Sequence, residues 1–259
     1  SLSGAMERNH DMVYVCYDNG AYMNTGIQRS SATPMFADTT TTPVGKCSNG
    51  KMQNRKDLAS IIANHDIPYV AQSTFIGTMK DLYEKSEKAI YTPGAAFLNI
   101  MSPCPRGWRY DTPDIMKICK LAVETCYWPL FEVVEGKWIL NYEPKKKLPI
   151  EDFLRPQGRF KHLFKPENEN LLVQYQDLTQ ESSCSFVKER ACAIYFLTKY
   201  GRIPKVEAIC PSGVPVSSAN RIFRSCMKFR VINTRIFIGA SCKYSRSSYN
   251  SIAFCCFFS

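Results

Sequence analysis

Six consecutive segments alternate between strand and helix character, and this alternation limits the possible folds more than any other feature of the chain. "MVYVCY" (12–17) is apolar and aromatic, as in a buried strand. "KDLASIIANHD" (56–66) places Leu58, Ile61 and Ile62 at helical spacing. "IPYVAQ" (67–72) returns to strand character and opens on Pro68. "MKDLYEKSEKAI" (79–90) predicts a helix with Leu82, Tyr83, Ala89 and Ile90 on its apolar side and Glu/Lys pairs in water. "GAAFLNIM" (94–101) is a continuous apolar run, the pattern of a strand covered on both faces. "PDIMKICKLAVETC" (113–126) predicts a helix with Pro113 in its first turn. A β-α-β-α-β-α series predicts an α/β domain built on a mainly parallel sheet flanked by helices, with right-handed crossovers. "PLFEVVEGKWILNY" (129–142) then predicts a hairpin about Glu135-Gly136-Lys137. A basic, Pro-punctuated arm, "PKKKLPIEDFLRPQGRFKHLF", and a short helix, "ENENLLVQYQDL", complete this part.

The charge is uneven along the chain. Residues 1–179 hold 21 Lys and Arg against 20 Asp and Glu, whereas residues 180–259 hold 12 against 3. The formal net charge of +10 is therefore a property of the last 80 residues and not of a basic face on the α/β part, which argues against a nucleic-acid module. Seven of the twelve cysteines lie in the same stretch. The apolar runs fall well short of the roughly 18 to 20 residues that span a bilayer. The composition break predicts a domain over 1–178, with its C-terminal arm from about 129, and a Cys/Ser-rich basic tail over 179–259 that is non-native or disordered. The chain opens at Ser1 on "LSGAMERNHD", which reads as a helix already under way, so the N-terminus is expected to be truncated.

In parallel α/β sheets, ligands gather beyond the carboxyl ends of the strands. Two loops leave such ends here. "YDNGAYMNTGIQRSSATP" (17–34) offers oxygens at Asp18, Asn19, Asn24 and Thr25, with Gly20 and Gly26 allowing close backbone approach. Hard oxygens of this kind suit Mg²⁺ bridging to a phosphate group. The same residues also suit a plain Asx-turn loop, because Asn-Gly is a common turn pair. The length of the polar stretch favours a functional loop. The other loop is "SPCPRGWRY" (102–110).

"YVCYDNGAYMNTGIQRSSATP", "SPCPRGWRY", "WPLFEV" and "KKKLPIEDFLRPQGRFKHLF" together resemble the beta subunit of the pyruvate:ferredoxin oxidoreductase (pyruvate synthase) family, from about Leu2 to about Leu178. The resemblance implies a thiamin diphosphate-binding fold of the pyrophosphate-binding type. It also implies the oxidative decarboxylation of pyruvate to acetyl-CoA and CO₂ with coenzyme A, with electrons passed to ferredoxin. Partner alpha and other subunits, a cytoplasmic location and no role for membrane or nucleic acid follow from it. Within the family's thiamin signature, Asn19 stands at the closing position. By resemblance its side-chain oxygen and the carbonyl of Ala21 bind Mg²⁺. Asn24 reaches cofactor and substrate as the catalytic asparagine, and Thr25 and Gly26 complete that turn. The opening Gly-Asp-Gly of the signature is expected upstream of Ser1. The opposing expectation is a truncated, rearranged fragment with no activity of its own.

Spacing alone makes Cys104 a buried or capping thiol, since the chain has no C-x-x-C. By resemblance Cys104 is the isolated fourth ligand of a [4Fe–4S] cluster. One thiolate cannot hold such a cluster, which needs four. His10, His65 and His162 read as structural or solvated. Lys145, Lys146, Lys147, Arg155, Arg159, Lys161 and Lys165 read as a solvated basic face, with a subunit contact anchored by Phe153, Phe160 and Phe164 as the alternative.

Overall fold

The computed structural model of the protein describes residues 2–76, 79–180 and 184–191. In chain order the elements are α1 (Leu2–Glu7), β1 (Met12–Asp18), β2 (Val44–Gly45), β3 (Ser48–Asn49), α2 (Leu58–Ala63), β4 (Tyr69–Thr74), α3 (Lys80–Tyr91), β5 (Ala95–Met101), α4 (Pro105–Trp108), α5 (Ile115–Glu124), β6 (Phe131–Val134), β7 (Lys137–Leu140), α6 (Ile150–Leu154) and α7 (Glu169–Gln180). A further helix lies at 184–191. The central sheet has the order β1-β5-β4-β6-β7. β1, β5 and β4 run parallel, as the alternating pattern predicts. β6 pairs antiparallel with β4, and β7 with β6. The hairpin at 129–142 thus extends the main sheet instead of standing apart as an arm. Its two-residue turn carries Glu135 at φ 47° and Gly136 at φ 75°, the left-handed pair that matches the twist of a tight hairpin.

Local chemistry sets several of these elements. Asp57 caps α2 by accepting from the Ser60 N–H at 3.1 Å. Every residue of β5 is buried, because it has strands on both sides and helices on both faces. One face of the sheet packs Val70, Phe97 and Phe131 against Ala59, Ile62 and Met6. The other packs Ala71, Leu98 and Ile100 against Leu82 and Ala89 of α3. A third cluster, with Trp108, Trp128, Phe153 and Phe160, closes the carboxyl end of the strands.

Three expectations from sequence need correction. β1 is an edge strand with a single neighbour, and Met12 to Val15 and Tyr17 remain exposed where a buried strand was predicted. In α3, Leu82 and Ala89 face the sheet as predicted, but Tyr83 and Ile90 are each 67% exposed, and Lys85 is buried where a solvated charge was expected. Lys85 is tolerated there because its ammonium meets Asp81 at 2.8 Å and the Gln72 carbonyl at 2.9 Å. In the basic arm, Arg159 is 2% exposed, and Phe153 and Phe160 are fully buried in the chain's own core.

Of the predicted tail, residues 179–180 end α7 and residues 184–191 are also described, with Val187 buried beside Phe131 and Trp138. The expectation that the rest of 179–259 is disordered concerns 181–183 and 192–259, which lie outside the described residues. No helix among the described residues is long and apolar enough to cross a membrane.

Candidate functional site

β1 and β5 run side by side and end together, with Asp18 opposite Met101. The two loops singled out in the sequence leave from these adjacent ends, and the Ser102 N–H donates to the Asp18 carbonyl at 2.9 Å. Parallel pairing is therefore what brings residues more than eighty positions apart to one edge.

The first loop turns at once. Asp18 is buried, and its carboxylate accepts from the Gly20 N–H at 3.0 Å and from Arg55 Nη2 at 3.1 Å. Burial works against the Arg55 guanidinium, but Asp18, with Tyr127 and Asp57 nearby, raises it above its usual range, so the guanidinium stays charged. Asn19 Oδ1 accepts from the Ala21 N–H at 3.2 Å. Gly20 has φ 75°, a backbone that side chains rarely adopt. Beyond Ala21 the chain makes a small hooked turn, with Tyr22 and Gln28 exchanging backbone hydrogen bonds at 2.9 and 3.0 Å. Asn24, Thr25 and Gly26 form its exposed tip, where Thr25 donates to Gln28 Oε1 at 3.2 Å.

The second loop supplies the floor. Cys104 is half-buried and caps α4, its Sγ accepting from the Gly107 N–H at 3.4 Å. The Trp108 indole N–H donates to the Asn19 carbonyl at 2.6 Å. Met23 packs so closely on Gly107 that a Cβ there would lie 2.2 Å from its sulfur. A third segment comes from the basic arm: the Arg159 guanidinium lies 3.7 Å from the centre of the Trp108 ring. Burial pushes Arg159 down to about 10, which leaves it charged at neutral pH.

The structure thus gathers Asn19, Ala21 and Cys104 around one strand edge, with Asn24, Thr25 and Gly26 on a turn that projects from it. The sequence reading missed Trp108, Arg159, Arg55 and Met23. Trp108 stood inside a quoted motif, which was its one available signal. A separate cavity of about 210 Å³ lies beside Arg55, Asp57, Gln72, Tyr127 and Phe186, and none of the predicted site residues lines it. Among the described residues no group of three or more His, Cys, Asp or Glu converges as metal ligands do.

Residues 1–100 match the family described as thiamine pyrophosphate enzyme, C-terminal TPP binding domain. The chain is similar to the pyruvate synthase subunit PorB of Methanosarcina barkeri, 50% identical over 167 residues that make up 64% of this chain and 56% of that one. It is 45% identical to PorB of Thermotoga maritima over 178 residues, 68% of this chain and 55% of that one. It is also 47% identical to the ketoisovalerate oxidoreductase subunit VorB of Pyrococcus horikoshii over 173 residues, 66% of this chain and 55% of that one. The chain therefore spans little more than half the length of these relatives. Among solved structures, a 2-oxoglutarate:ferredoxin oxidoreductase from Magnetococcus marinus is 22% identical, with a TM-score of 0.37 over 66% of this chain and 61% of that one.

The oxygens at the turn fit a small hard cation with a diphosphate. Asn19 Oδ1 keeps a free lone pair beyond its bond to Ala21, and a carbonyl stands two residues on. Among the described residues the charge of Arg159 beneath the turn has no carboxylate in contact, which suits an anionic group above it. The described residues do not fit a [4Fe–4S] cluster by themselves, since Cys104 is one thiolate where four are needed.

Proposed function

We propose that this chain is part of the beta subunit of a 2-oxoacid:ferredoxin oxidoreductase that acts on pyruvate. The reaction joins pyruvate and coenzyme A to give acetyl-CoA and CO₂, with two electrons passed to ferredoxin. The supporting observation is the meeting of the 18–28 and 102–110 loops at one strand edge, in a chain whose first hundred residues match a thiamine pyrophosphate-binding domain. The PorB relatives support pyruvate, and the VorB relatives keep a branched 2-oxoacid as the competing substrate.

Thiamin diphosphate, when bound, supplies the carbanion and the electron sink. The chain's own residues bind and orient. Asn19 Oδ1 and the Ala21 carbonyl would hold Mg²⁺, and Gly20 gives the backbone the left-handed step between them. Asn24 at the tip would donate its amide N–H to the reacting group, with Thr25 and Gly26 shaping the turn. Cys104 would contribute one thiolate of a [4Fe–4S] cluster. An alpha subunit completes the assembly, which is cytoplasmic. Residues 1–178 would be the functional unit, with 179–259 a non-family addition.

The test is reduction of ferredoxin by the chain combined with its alpha subunit, with thiamin diphosphate, Mg²⁺, coenzyme A and either pyruvate or 3-methyl-2-oxobutanoate. Faster turnover with pyruvate is the expected result. Cofactor binding without turnover of any 2-oxoacid would favour an inactive fragment instead.

A further inference from the structure

We infer that Arg159 and Trp108 are positioning residues, which hold the Asn19–Ala21 turn from beneath. The claim takes the proposed metal role of that turn as its premise.

The geometry is a short chain of contacts. Gln157 Oε1 accepts from Arg159 Nε at 2.9 Å and so orients the guanidinium. The guanidinium lies 3.7 Å from the centre of the Trp108 ring and 4.9 Å from that of Phe160. Phe153 and Tyr110 meet Trp108 edge-on at 6.2 and 6.5 Å, so the indole has little freedom to swing. Its N–H is aimed at the Asn19 carbonyl at 2.6 Å. The turn rests directly on the pair, because a Cβ on Gly20 would lie 3.1 Å from Arg159 Nη1 and 3.5 Å from Trp108 Nε1.

Arg159 is an expensive residue in this place. It is 2% exposed, and its Nη2 has no hydrogen-bond partner among the described residues. The nearby Asp18 carboxylate is already committed to Arg55 and the Gly20 N–H. Among the described residues its compensation is ring faces, one amide oxygen and the more distant charge of Asp18, and a buried cation without a carboxylate in contact costs the fold stability. A methionine would fill much of the same space at no electrostatic cost. The guanidinium adds a flat cationic face for the indole and positive charge under a turn proposed to carry a diphosphate. A residue that costs the fold and serves a neighbouring loop is what a functional position looks like.

The test is amide and indole hydrogen exchange on the full chain for wild type, Arg159→Met, Arg159→Lys and Trp108→Phe, with melting temperatures. In Arg159→Met the Trp108 indole N–H and the Gly20 and Ala21 amides should exchange about tenfold faster, equal to ~1.4 kcal/mol. The Phe97 amide in the central strand should not change, and the melting temperature should hold or rise. Trp108→Phe should loosen the same two amides. Lysine restores charge but not the flat face, so Arg159→Lys should behave like Arg159→Met. Unchanged exchange at the turn in both Arg159→Met and Trp108→Phe overturns the proposal. So does a fall of about 5 °C or more with Phe97 accelerating equally, which would mark plain core packing. Full rescue by lysine overturns the stacking part. Titration with thiamin diphosphate and Mg²⁺ separates this from the functional reading. Wild-type binding that weakens about tenfold in Arg159→Met supports both. Equal affinity in the two overturns the positioning role. No wild-type binding counts against the functional reading, and the exchange data then decide the positioning claim alone.

Discussion

Lys85→Met should destabilise the domain by about 2–3 kcal/mol, although the helical pattern places this lysine in water. The side chain is 2% exposed. Its ammonium meets Asp81 at 2.8 Å and donates to the Gln72 carbonyl at 2.9 Å. Breaking a buried ion pair by removing one partner costs about 3–5 kcal/mol, because the other charge is left alone. Asp81 is better placed than that limit, being 19% exposed and keeping the Ser73 hydroxyl at 2.6 Å. Loss of the hydrogen bond to the Gln72 carbonyl adds about 1 kcal/mol. The methionine recovers about 1 kcal/mol of apolar burial against the sheet. Asp81→Leu added to Lys85→Met removes the stranded carboxylate and should return about 1–2 kcal/mol, a coupling that the double-mutant cycle measures. Urea unfolding followed by circular dichroism is the assay. At a slope of about 2 kcal/mol/M, the single variant should lower the midpoint by about 1–1.5 M. A midpoint within about 0.3 M of wild type would refute the reasoning, as would a double variant no more stable than the single one.

Under the proposed function, Asn19→Ala should weaken thiamin diphosphate and Mg²⁺ binding at least about tenfold in the assembled enzyme, whereas Asn24→Ala should mainly lower turnover, as calorimetry and steady-state kinetics would show. Burial lowers the His162 pKa from 6.5, with Lys165 and Arg109 adding to the effect and Asp38 and a backbone hydrogen bond at Asn49 opposing it, so the fold favours the neutral ring. The unfolded chain then binds more protons than the native one below pH 6.5 and stability falls as the pH drops through that range, a slope that His162→Gln should flatten in pH-dependent urea midpoints. Gly50 has φ 83°, and a Cβ there would lie 2.8 Å from the Phe36 and Ala37 carbonyls. Gly50→Ala should cost about 2 kcal/mol or more in the same assay, because the obstructing atoms are backbone.

The alternating pattern made the sheet legible because periodicity reports which faces are covered. β5 is the clearest case, an apolar run interrupted only by Asn99 and buried along its whole length. Pairing partners are not in the pattern. The Glu135-Gly136 turn announces a hairpin, but nothing local says that β6 will join β4. The buried cations were misread for a related reason. Lys85 and Arg159 look like solvated charge in one dimension, and each is buried by contacts from distant segments, the Gln72 carbonyl in one case and the Trp108 ring in the other. The candidate site was legible in its side-chain oxygens and glycines but not in its support. Trp108 and Met23 follow no period, and their contacts to Asn19 and Gly107 appear only once β1 and β5 end side by side.

The polar loop after β1 admitted two readings from sequence, an ordinary Asx turn or a metal-binding turn, and the geometry makes them compatible. Asn19 Oδ1 accepts one hydrogen bond, from Ala21, as in an Asx turn. An amide oxygen has two lone pairs, so the turn orients the oxygen and leaves the other pair available. The Asn19 carbonyl is committed to the Trp108 indole, and the Gly20 N–H to Asp18. With those groups tied down, the backbone conformation of the turn is set before any ligand arrives, which lowers the ordering cost of binding. A small, geometrically strict cation such as Mg²⁺ gains most from this arrangement, because it tolerates little error in oxygen placement. The Asx turn is then the scaffold of the proposed metal site, and its loss and the loss of metal binding should coincide in Asn19→Ala.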